Sequence, residues 1–389
     1  MSYNQKSLEA HKEWRGKIEI VSRVPLETKE ELSVAYTPGV AQACLAIQAD
    51  PAQSFELTRR WNTVPVITDG TAVLGLGDIG PEAGMPVMEG KCALFKTFGD
   101  VDAYPLCIRS KDTEEIIRTV KLMAGSWGGV NLEDISAPRC FEIERRLQEE
   151  LNIPVFHDDQ HGTAIVCSAA LINALKLANK RIGDVKIVVN GAGAAGIAIC
   201  KFLLHLGAKD ILICDRSGII CEGNEKLNAA KQEVAKLTNR EHLCGDLALA
   251  MRGADVFIGV SGPHCVTPEM VRSMHADPIL FPLANPVPEI EPEEAYAAGA
   301  FIVGTGSSEH PNQVNNALVF PGLFRGALDA KARSITPHMM LAAAKGIASC
   351  IPEAELRKDR ILPYAFDKSA HRAVAKAVYE AALEDKNFR

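Results

Sequence analysis

The chain of 389 residues lacks the marks of several common protein classes. No apolar run approaches the roughly 18 to 20 residues that span a bilayer, and the polar N-terminus has no signal-peptide core. We therefore expect a soluble, cytoplasmic protein without a membrane partner. The net charge is −7, and no basic block is present that could follow a phosphate backbone. A nucleic-acid partner is therefore not expected.

The cysteine motifs that mark many metal or redox sites are also missing, because none of the eleven cysteines belongs to a C-x-x-C pair. Five of them lie within apolar segments, namely Cys44, Cys92, Cys167, Cys200 and Cys214. Buried free thiols in a reducing compartment explain this pattern better than disulfides or a zinc site.

The chain does contain enough apolar sequence for two cores. Hydrophobic residues make up 47% of it, and single domains typically span about 100 to 200 residues. From residue 103 onward, short apolar strands alternate with helix-period segments, which predicts an α/β fold with parallel sheets. Before that, apolar runs at 64–68 and 72–76 flank Asp69-Gly70, a dipeptide typical of a β-hairpin.

Two apolar runs within residues 130–162 each end in a pair of acids. Glu133 and Asp134 follow the first run, Asp158 and Asp159 follow the second, and a helix-period segment separates them. Such a βαβ unit brings the carboxyl ends of two parallel strands to one edge of a sheet, where ligands bind. Carboxylates gathered there repel one another, whereas Mg²⁺ or Mn²⁺ satisfies them with oxygen ligands. The alternative is that each pair only caps the turn or helix that follows.

The second half opens with a dinucleotide-binding pattern of strand, glycine-rich turn, helix and a second strand that ends in Asp215. Gly191 allows the tight turn, Gly193 lets the backbone approach a pyrophosphate, and Gly196 allows close packing of helix and strand. The complete motif is Gly191, Ala192, Gly193, Ala194, Ala195 and Gly196. It predicts a Rossmann-type domain.

Asp215 and its neighbour Arg216 leave the choice of cofactor open. A carboxylate at the end of that strand accepts bonds from the ribose hydroxyls and repels a 2′-phosphate, which favours NAD. Arg216 could instead contact the 2′-phosphate of NADP or stack on adenine. We predict NAD, with NADP as the alternative.

Eight motifs lie in the following order between about residues 20 and 325: YTPG at Tyr36, ITDGTAVLGLGDIG, EGK at Lys91, LEDISAP, FHDDQHGTA, GAGAAG, LANPVPEI and NNALVFPG. This is the order found in malic enzymes, and the chain resembles the short bacterial type of that family. The resemblance implies an α/β catalytic domain over residues 1–158, with 316–389 packing back on it. It also implies that residues 159–315 form the Rossmann-type nucleotide domain.

The same resemblance implies which residues hold metal. Two acids of the first pair and one of the second match the family's ligands, so Glu133, Asp134 and Asp159 would bind Mn²⁺ or Mg²⁺. His157 and His161 flank the second pair, but hard cations usually prefer carboxylate and water ligands.

Roles for three further side chains follow from the resemblance together with their chemistry. Lys91 would accept the proton of the malate hydroxyl, because burial and a nearby cation lower the pKa of a lysine. Tyr36 would protonate the enolate, and Asp158 would bond Lys91 or a bound water. Without the resemblance, Lys91 would be read as a surface lysine and Tyr36 as a half-buried aromatic at the edge of the core.

The substrate-binding residues depart from the family in one respect. Asn285 and Asn316 match its substrate-binding asparagines, and Asn285 would also face the cofactor. Longer members carry an arginine for the substrate carboxylate where this chain has Thr71 and Ala72. The asparagines, or backbone N–H groups of residues 75–80, are the alternative donors.

The implied activity is oxidative decarboxylation of L-malate to pyruvate and CO₂ with reduction of NAD(P)⁺, in a homodimer or higher homo-oligomer. Two alternatives use the same residues or the same fold. One is redox-neutral conversion of malate to lactate with tightly held NAD, and the other is a catalytically silent nucleotide-binding regulator.

Overall fold

The computed structural model describes residues 3–73, 75–224 and 227–389, apart from the side chain of Asn4. Its strands form one sheet of four and one of six strands. Helices accompany both sheets, so the predicted α/β class is confirmed.

The four-stranded sheet is entirely parallel and has the order β2-β1-β3-β4. Its strands are β1 (Thr63–Thr68), β2 (Asp102–Cys107), β3 (Val130–Leu132) and β4 (Val155–His157). Every residue of β3 and β4 is buried, which is why these strands are mainly apolar, with Asn131 and His157 as their polar residues. Leu132 is paired with His157, so the two acid pairs begin at the same edge of the sheet.

The predicted hairpin around Asp69-Gly70 is wrong. Strand β1 has the parallel strands β2 and β3 on its two sides, and the described part of 72–76 contributes only an isolated bridge between Val73 and Gly77. Asp69 is buried and forms an ion pair with Arg139 at 2.8 Å. This distant partner, and not a hairpin, explains why an acid occupies the turn.

The six-stranded sheet has the order β10-β9-β8-β5-β6-β7, and all its neighbours are parallel except β6 and β7. Its strands are β5 (Lys186–Asn190), β6 (Asp210–Asp215), β7 (Gly218–Ile219), β8 (Val256–Gly259), β9 (Ile279–Pro282) and β10 (Ile302–Val303). The strand order reverses between β5 and β8, and doubly wound sheets bind their ligands at such a switch point.

Sixteen helices of the described residues surround the sheets. Those before β4 are α1 (Tyr3–Trp14), α2 (Lys29–Ala35), α3 (Val40–Ala49), α4 (Ser54–Leu57), α5 (Pro81–Gly99), α6 (Thr113–Met123) and α7 (Arg139–Glu150). Those after it are α8 (Asp158–Leu177), α9 (Ala194–Leu206), α10 (Ala229–Ala235), α11 (Leu247–Met251), α12 (Pro268–Arg272), α13 (Pro292–Ala297), α14 (Phe320–Asp329), α15 (Pro337–Ser349) and α16 (Lys368–Glu384).

Helix α8 begins at the end of β4 and is buried along most of its length, where it packs against α9 and α15. The C-terminal helix α14 returns to the first sheet and packs against α5. The approach is close, because a Cβ on Gly99 would lie 2.6 Å from the carbonyl oxygen of Pro321. Residues far apart in the chain therefore share one core around the four-stranded sheet.

All eleven cysteines are free thiols, as expected. Cys92, Cys167, Cys200 and Cys214 are buried, but the expectation of burial is wrong for Cys44, which is exposed. Its helix, α3, contains no buried residue among the described ones. No described helix is long and apolar enough to cross a membrane.

The N-terminal segment presents apolar side chains to solvent. We call this set the N-terminal apolar surface: Ile20, Val21, Val24, Leu26, Leu32, Val34, Tyr36 and Leu45. Contiguous apolar patches on a protein surface commonly mark an interaction site.

Candidate active site

Three carboxylates meet at the carboxyl edge of the four-stranded sheet. Glu133 and Asp134 follow β3 directly, and Asp159 lies in the first turn of α8, which starts where β4 ends. One oxygen of each side chain lies within 4.8 Å of the others. The structure thus brings together Glu133, Asp134 and Asp159, which we call the carboxylate cluster.

The carboxylate cluster has the chemistry of a divalent-cation site. Asp134 is buried, and its Oδ2 has no hydrogen-bond partner among the described residues. Burial, followed by the negative charges of Asp159 and Glu133, raises the pKa of Asp134 to about 9. An oxygen-preferring cation relieves both the repulsion and the unpaired oxygen. The residues present therefore fit Mg²⁺ or Mn²⁺.

Lys91 projects from α5 to the carboxylate cluster and is buried, with only 6% of its surface exposed. Its Nζ donates to Glu133 Oε1 at 2.6 Å and to Asp158, and lies 4.4 Å from the ring centre of Phe320. Burial lowers the pKa of Lys91, but the adjacent carboxylates outweigh it, so the pKa is raised. The predicted burial is confirmed. The predicted lowering of the pKa of Lys91 depends on a nearby cation, and the adjacent carboxylates by themselves have the opposite effect.

Asp158 is fully buried beside the carboxylate cluster and holds the ammonium group of Lys91. It also accepts a hydrogen bond from the side-chain amide of Asn316. Burial raises the pKa of Asp158 to about 6, and the charge of Lys91 opposes that rise. Asp158 therefore positions Lys91. Lys91 is one of the two partners that were predicted for Asp158.

The carboxylate cluster and Lys91 open into a cavity of about 910 Å³ between the two sheets. We call it the cluster cavity; its wall also includes Ala72, Val73, Gly75, Gly77, Ala195, Ser261, Asn285, Asn316 and Phe320. Ser261 lines a second cavity of about 930 Å³ as well, so the two are adjacent.

The second cavity, which we call the glycine-loop cavity, lies beyond the carboxyl ends of β5 and β6. Its wall includes Gly191, Ala192, Gly193, Asp215, Arg216, Gly218, Lys231, Gly245 and Asp246. A Cβ on Gly196 would lie 1.7 Å from the Gly191 carbonyl oxygen, so close packing there requires glycine. Among the described residues, no atom lies within 4 Å of a Cβ built on Gly193, which leaves its backbone open to a ligand.

The remaining residues of the glycine motif divide between the cavities and the core. Ala195 faces the cluster cavity, whereas Ala194 packs against apolar side chains of the first domain. Asn285, predicted for both cofactor and substrate, lines the cluster cavity. It is therefore placed for a substrate contact.

Asp215 is held at the end of β6 by two partners. It forms an ion pair with Lys231 and accepts a hydrogen bond from the Ser217 N–H at 2.8 Å. Although burial alone would raise the pKa of Asp215, these bonds lower it, so the side chain is ionised. Arg216 is exposed and borders the same cavity. The structure thus adds Lys231 as a second cation, besides Arg216, next to Asp215.

Tyr36 is not part of this arrangement. It lies at the end of α2, its surface is 66% exposed, and it does not line the cluster cavity. Within a single copy of the chain, the structure does not bring Tyr36 to Lys91.

Two buried acids that the sequence analysis missed hold the loops of the site. Glu144 accepts hydrogen bonds from the His157 N–H at 2.8 Å and the Gln160 amide at 3.1 Å, and its carboxylate lies 2.9 Å from His161 Nε2. It therefore fixes the turn that carries Asp158 and Asp159. The sequence signal that could have identified Glu144 is its position between Ile143 and Leu147, on the apolar face of α7.

Glu289 is the second of these acids, and it fixes loops of the second domain. It is fully buried and accepts hydrogen bonds from the backbone N–H groups of Ser261, at 2.8 Å, and Ala284, at 3.0 Å. Both of those residues line the cluster cavity. No pattern in the sequence distinguishes Glu289 from an ordinary surface acid.

The fold and the site define a two-domain α/β enzyme in which a carboxylate cluster adjoins a dinucleotide-type sheet. Family models agree with this class. Residues 15–148 match the malic enzyme N-terminal domain, and residues 160–383 match the malic enzyme NAD binding domain. The chain belongs to the malic enzyme family.

Individual relatives are similar over nearly the whole chain. The NAD-dependent malic enzyme of Geobacillus stearothermophilus is 56% identical over 94% of this chain and 77% of its own. The bifunctional malic/malolactic enzyme of Bacillus subtilis is 54% identical over 99% of this chain and 94% of its own. The crystal structure of the NAD-dependent malic enzyme of Thermotoga maritima is 52% identical, with a TM-score of 0.93, over 96% of this chain and 98% of that one.

Proposed function

We propose that the chain catalyses the oxidative decarboxylation of L-malate to pyruvate and CO₂, with reduction of NAD⁺ and with Mn²⁺ or Mg²⁺ bound. The main support is that the carboxylate cluster and Lys91 share one cavity with Ala195 and Ser261, next to the glycine motif. A substrate held by the acids therefore lies beside a nicotinamide held by the second domain.

A direct assay tests the proposal. The purified chain is incubated with L-malate, NAD⁺ and Mn²⁺, and NADH, pyruvate and CO₂ are measured together. We expect the three products in equal amounts. Malate that stays unconsumed, with both the cation and the cofactor present, would contradict an enzymatic role and favour a silent regulator.

The malolactic reaction is the second candidate, because the Bacillus subtilis relative is named for both activities. In that reaction malate yields lactate and CO₂, and the electrons removed from malate return to pyruvate. Lactate without accumulated NADH in the same assay would therefore favour it over the first proposal.

The ionisable residues of the cluster cavity each have a proposed role. Glu133, Asp134 and Asp159 would hold the ion. Bound there, it supplies positive charge that polarises the C2 oxygen of malate and offsets the acids that raise the pKa of Lys91. Lys91 is placed to accept the proton of the C2 hydroxyl, while Asp158 holds its Nζ in position.

We assign the binding of the substrate carboxylate to Asn285. Asn316 already donates to Asp158, and no arginine lines the described part of the cluster cavity. The N–H groups of Gly77, Ile79 and Gly80 are also engaged by backbone carbonyls, so the loop 75–80 offers few free donors. The Asn285 amide is the better candidate.

We propose that Tyr36 protonates the enolate in a second copy of the chain, within a homodimer or higher homo-oligomer. Tyr36 lies outside the cluster cavity of its own copy and belongs to the N-terminal apolar surface. A second copy is the proposed cover, since pairing two identical patches buries the apolar side chains of both.

Mixing two inactive variants tests whether the sites are shared. Alone, Tyr36→Phe and Lys91→Ala should each lose most activity. After subunit exchange, we expect about a quarter of the wild-type rate, because random pairing makes half of the dimers mixed with one intact site each. Verified subunit exchange without recovered malate oxidation would place Tyr36 in its own copy's site or outside catalysis.

NAD is the proposed cofactor rather than NADP, with Asp215 as the discriminating residue. In Asp215→Ser, Lys231 loses its partner and stands with Arg216 beside the adenosine ribose site, where both attract a 2′-phosphate. We expect the ratio of kcat/KM for NADP to that for NAD to rise about tenfold, since a hydrogen bond to a charged group contributes about 1.5 to 3 kcal/mol.

Asp246→Asn is the matched control for Asp215→Ser. Asp246 lines the same cavity, and asparagine preserves its role as the N-cap of α11. The two cofactors should keep their wild-type ratio in this control. A native preference for NADP, or the same ratio in Asp215→Ser as in wild type, would assign the choice to another residue.

We also propose the division of labour between the chain segments and their location. Residues 1–158 and 316–389 would form the catalytic domain, supported by the packing of α14 on α5, and 159–315 the nucleotide domain. Eleven free thiols fit a reducing compartment, so we propose that the protein is cytoplasmic.

A further inference from the structure

Two cysteines of the second domain stand in direct contact. The sulfur atoms of Cys221 and Cys244 are 3.0 Å apart, and we call these residues the thiol pair. Cys221 follows β7, and its S–H also points to the Leu243 carbonyl oxygen at 3.0 Å. Asn239 fixes both segments, because its amide donates to the carbonyl oxygens of Ile220 and Leu243. The two sulfurs are therefore held together by the fold around them.

The thiol pair is accessible to small oxidants. Cys244 is exposed and Cys221 is half-buried, in contrast to the fully buried Cys167 and Cys200. Accessible cysteines with a second cysteine beside them are the ones that oxidise reversibly.

The thiol pair lies directly behind the wall of the glycine-loop cavity. Strand β7 pairs with β6 so that Gly218 faces Asp215, and the Ile219 N–H donates to the Gly245 carbonyl at 2.9 Å. Gly218 and Gly245 both line that cavity. A Cβ on Gly218 would lie 2.2 Å from the Gly245 oxygen, so the two backbones touch without a gap. Movement of either backbone must therefore reach Asp215.

We propose that Cys221 and Cys244 form a reversible disulfide that weakens dinucleotide binding in the glycine-loop cavity. The inference rests on the proposed function insofar as this cavity binds the cofactor. To form the bond, the sulfurs must approach from 3.0 Å to about 2.05 Å, and the tightly packed Gly218 and Gly245 segments must shift with them. The shift displaces Asp215 from the position in which it accepts the ribose hydroxyls.

A peroxide is the oxidant that this step requires. The Cys244 sulfur attacks one peroxide oxygen and breaks the O–O bond, and the departing oxygen takes the thiol proton of Cys244, which gives a sulfenic acid and one water. The Cys221 sulfur then attacks the sulfenic sulfur, and the departing hydroxide takes the Cys221 proton as the second water. Two thiols and one hydrogen peroxide thus give one disulfide and two waters, and a dithiol reductant reverses the change.

The order of attack follows from the surroundings of the two sulfurs. Burial and then the neighbouring Cys244 raise the pKa of Cys221 to about 11. Cys221 therefore keeps its proton, and the exposed Cys244 is the sulfur that a peroxide reaches first.

Peptide mapping and NAD titration of the purified full chain test the proposal, before and after treatment with hydrogen peroxide. We expect a linked peptide pair containing Cys221 and Cys244, and a dissociation constant for NAD raised about fivefold, the lower end of typical coupling between two sites. Treatment with dithiothreitol should reverse both changes.

Three single variants separate the thiol pair from general oxidation. Cys221→Ser and Cys244→Ser should both abolish the effect, and the exposed position of Cys244 protects the second variant from loss of folding. Cys44→Ser removes an exposed thiol elsewhere and should respond as wild type does.

Two results would overturn the proposal. One is the absence of the 221–244 link under conditions that oxidise Cys44, and the other is a formed link with unchanged NAD affinity. Neither measurement contains malate, so failure of the proposed malate reaction would be a separate result.

Discussion

Asp159→Asn is expected to remove malate oxidation while leaving NAD binding nearly intact. The exchange takes one charged oxygen from the carboxylate cluster, whose three ligand oxygens lie within 4.8 Å of one another. A bound metal supplies several kcal/mol of transition-state stabilisation, so we expect at least about a 10³-fold loss of kcat/KM for malate. In a titration without added cation, NAD affinity should persist because Asp159 does not border the described glycine-loop cavity. Steady-state kinetics at limiting Mn²⁺ and NAD titration provide the two measurements.

Asp100→Asn is the matched control for this prediction. The Asp100 side chain is 77% exposed and lies at the end of α5, so the same chemical change should leave the rate unaltered. Asp159→Asn that kept the wild-type rate at limiting Mn²⁺ would show that metal binds elsewhere.

Lys91→Ala is expected to lower the rate of malate oxidation about 10²- to 10⁴-fold, the usual contribution of a positioned acid or base. Decarboxylation of added oxaloacetate should survive better, because that step needs no proton removal from a hydroxyl. The variant also leaves Glu133 and Asp158 buried without their cation, and breaking a buried ion pair costs about 3 to 5 kcal/mol. Thermal melting should therefore show a large loss of stability that added Mn²⁺ partly restores.

Lys96→Ala, one and a half turns further along α5, is the control. Its side chain is 52% exposed, so oxidation and oxaloacetate decarboxylation should both match wild type. Equal losses in the two reactions of Lys91→Ala, with malate binding also gone, would make Lys91 a structural residue.

The parallel sheets could be predicted because their strands are buried on both faces. The residues of β3, β4 and β8 are all buried, so each strand reads as an apolar run apart from Asn131 in β3 and His157 at the end of β4. The hairpin at Asp69-Gly70 could not be excluded from the sequence, since the residue that explains it is Arg139, seventy positions away. Turn propensity is read from neighbouring residues, whereas a tertiary ion pair joins residues that lie far apart in the chain.

The same limit applies within the site. The acids of the site could be predicted because two strand ends each carry a pair of acids. The pKa of Lys91 could not, because it depends on Glu133 and Asp158, which lie 42 and 67 positions away. The exposure of Tyr36 could not be predicted from the sequence either. A tyrosine beside a Pro-Gly turn looks the same whether a core of its own chain or another molecule covers it.

Helix α8 connects the two halves of the enzyme. Its first turn carries Asp158 and Asp159, while its remaining turns pack against α9, the helix that starts at the glycine motif. A dinucleotide that shifts α9 by a fraction of an ångström therefore also moves the acids. By thermodynamic linkage, whatever factor the cofactor adds to cation affinity, the cation must add to cofactor affinity. Cation and dinucleotide should consequently saturate the enzyme as mutually dependent ligands, each with an apparent affinity set by the concentration of the other.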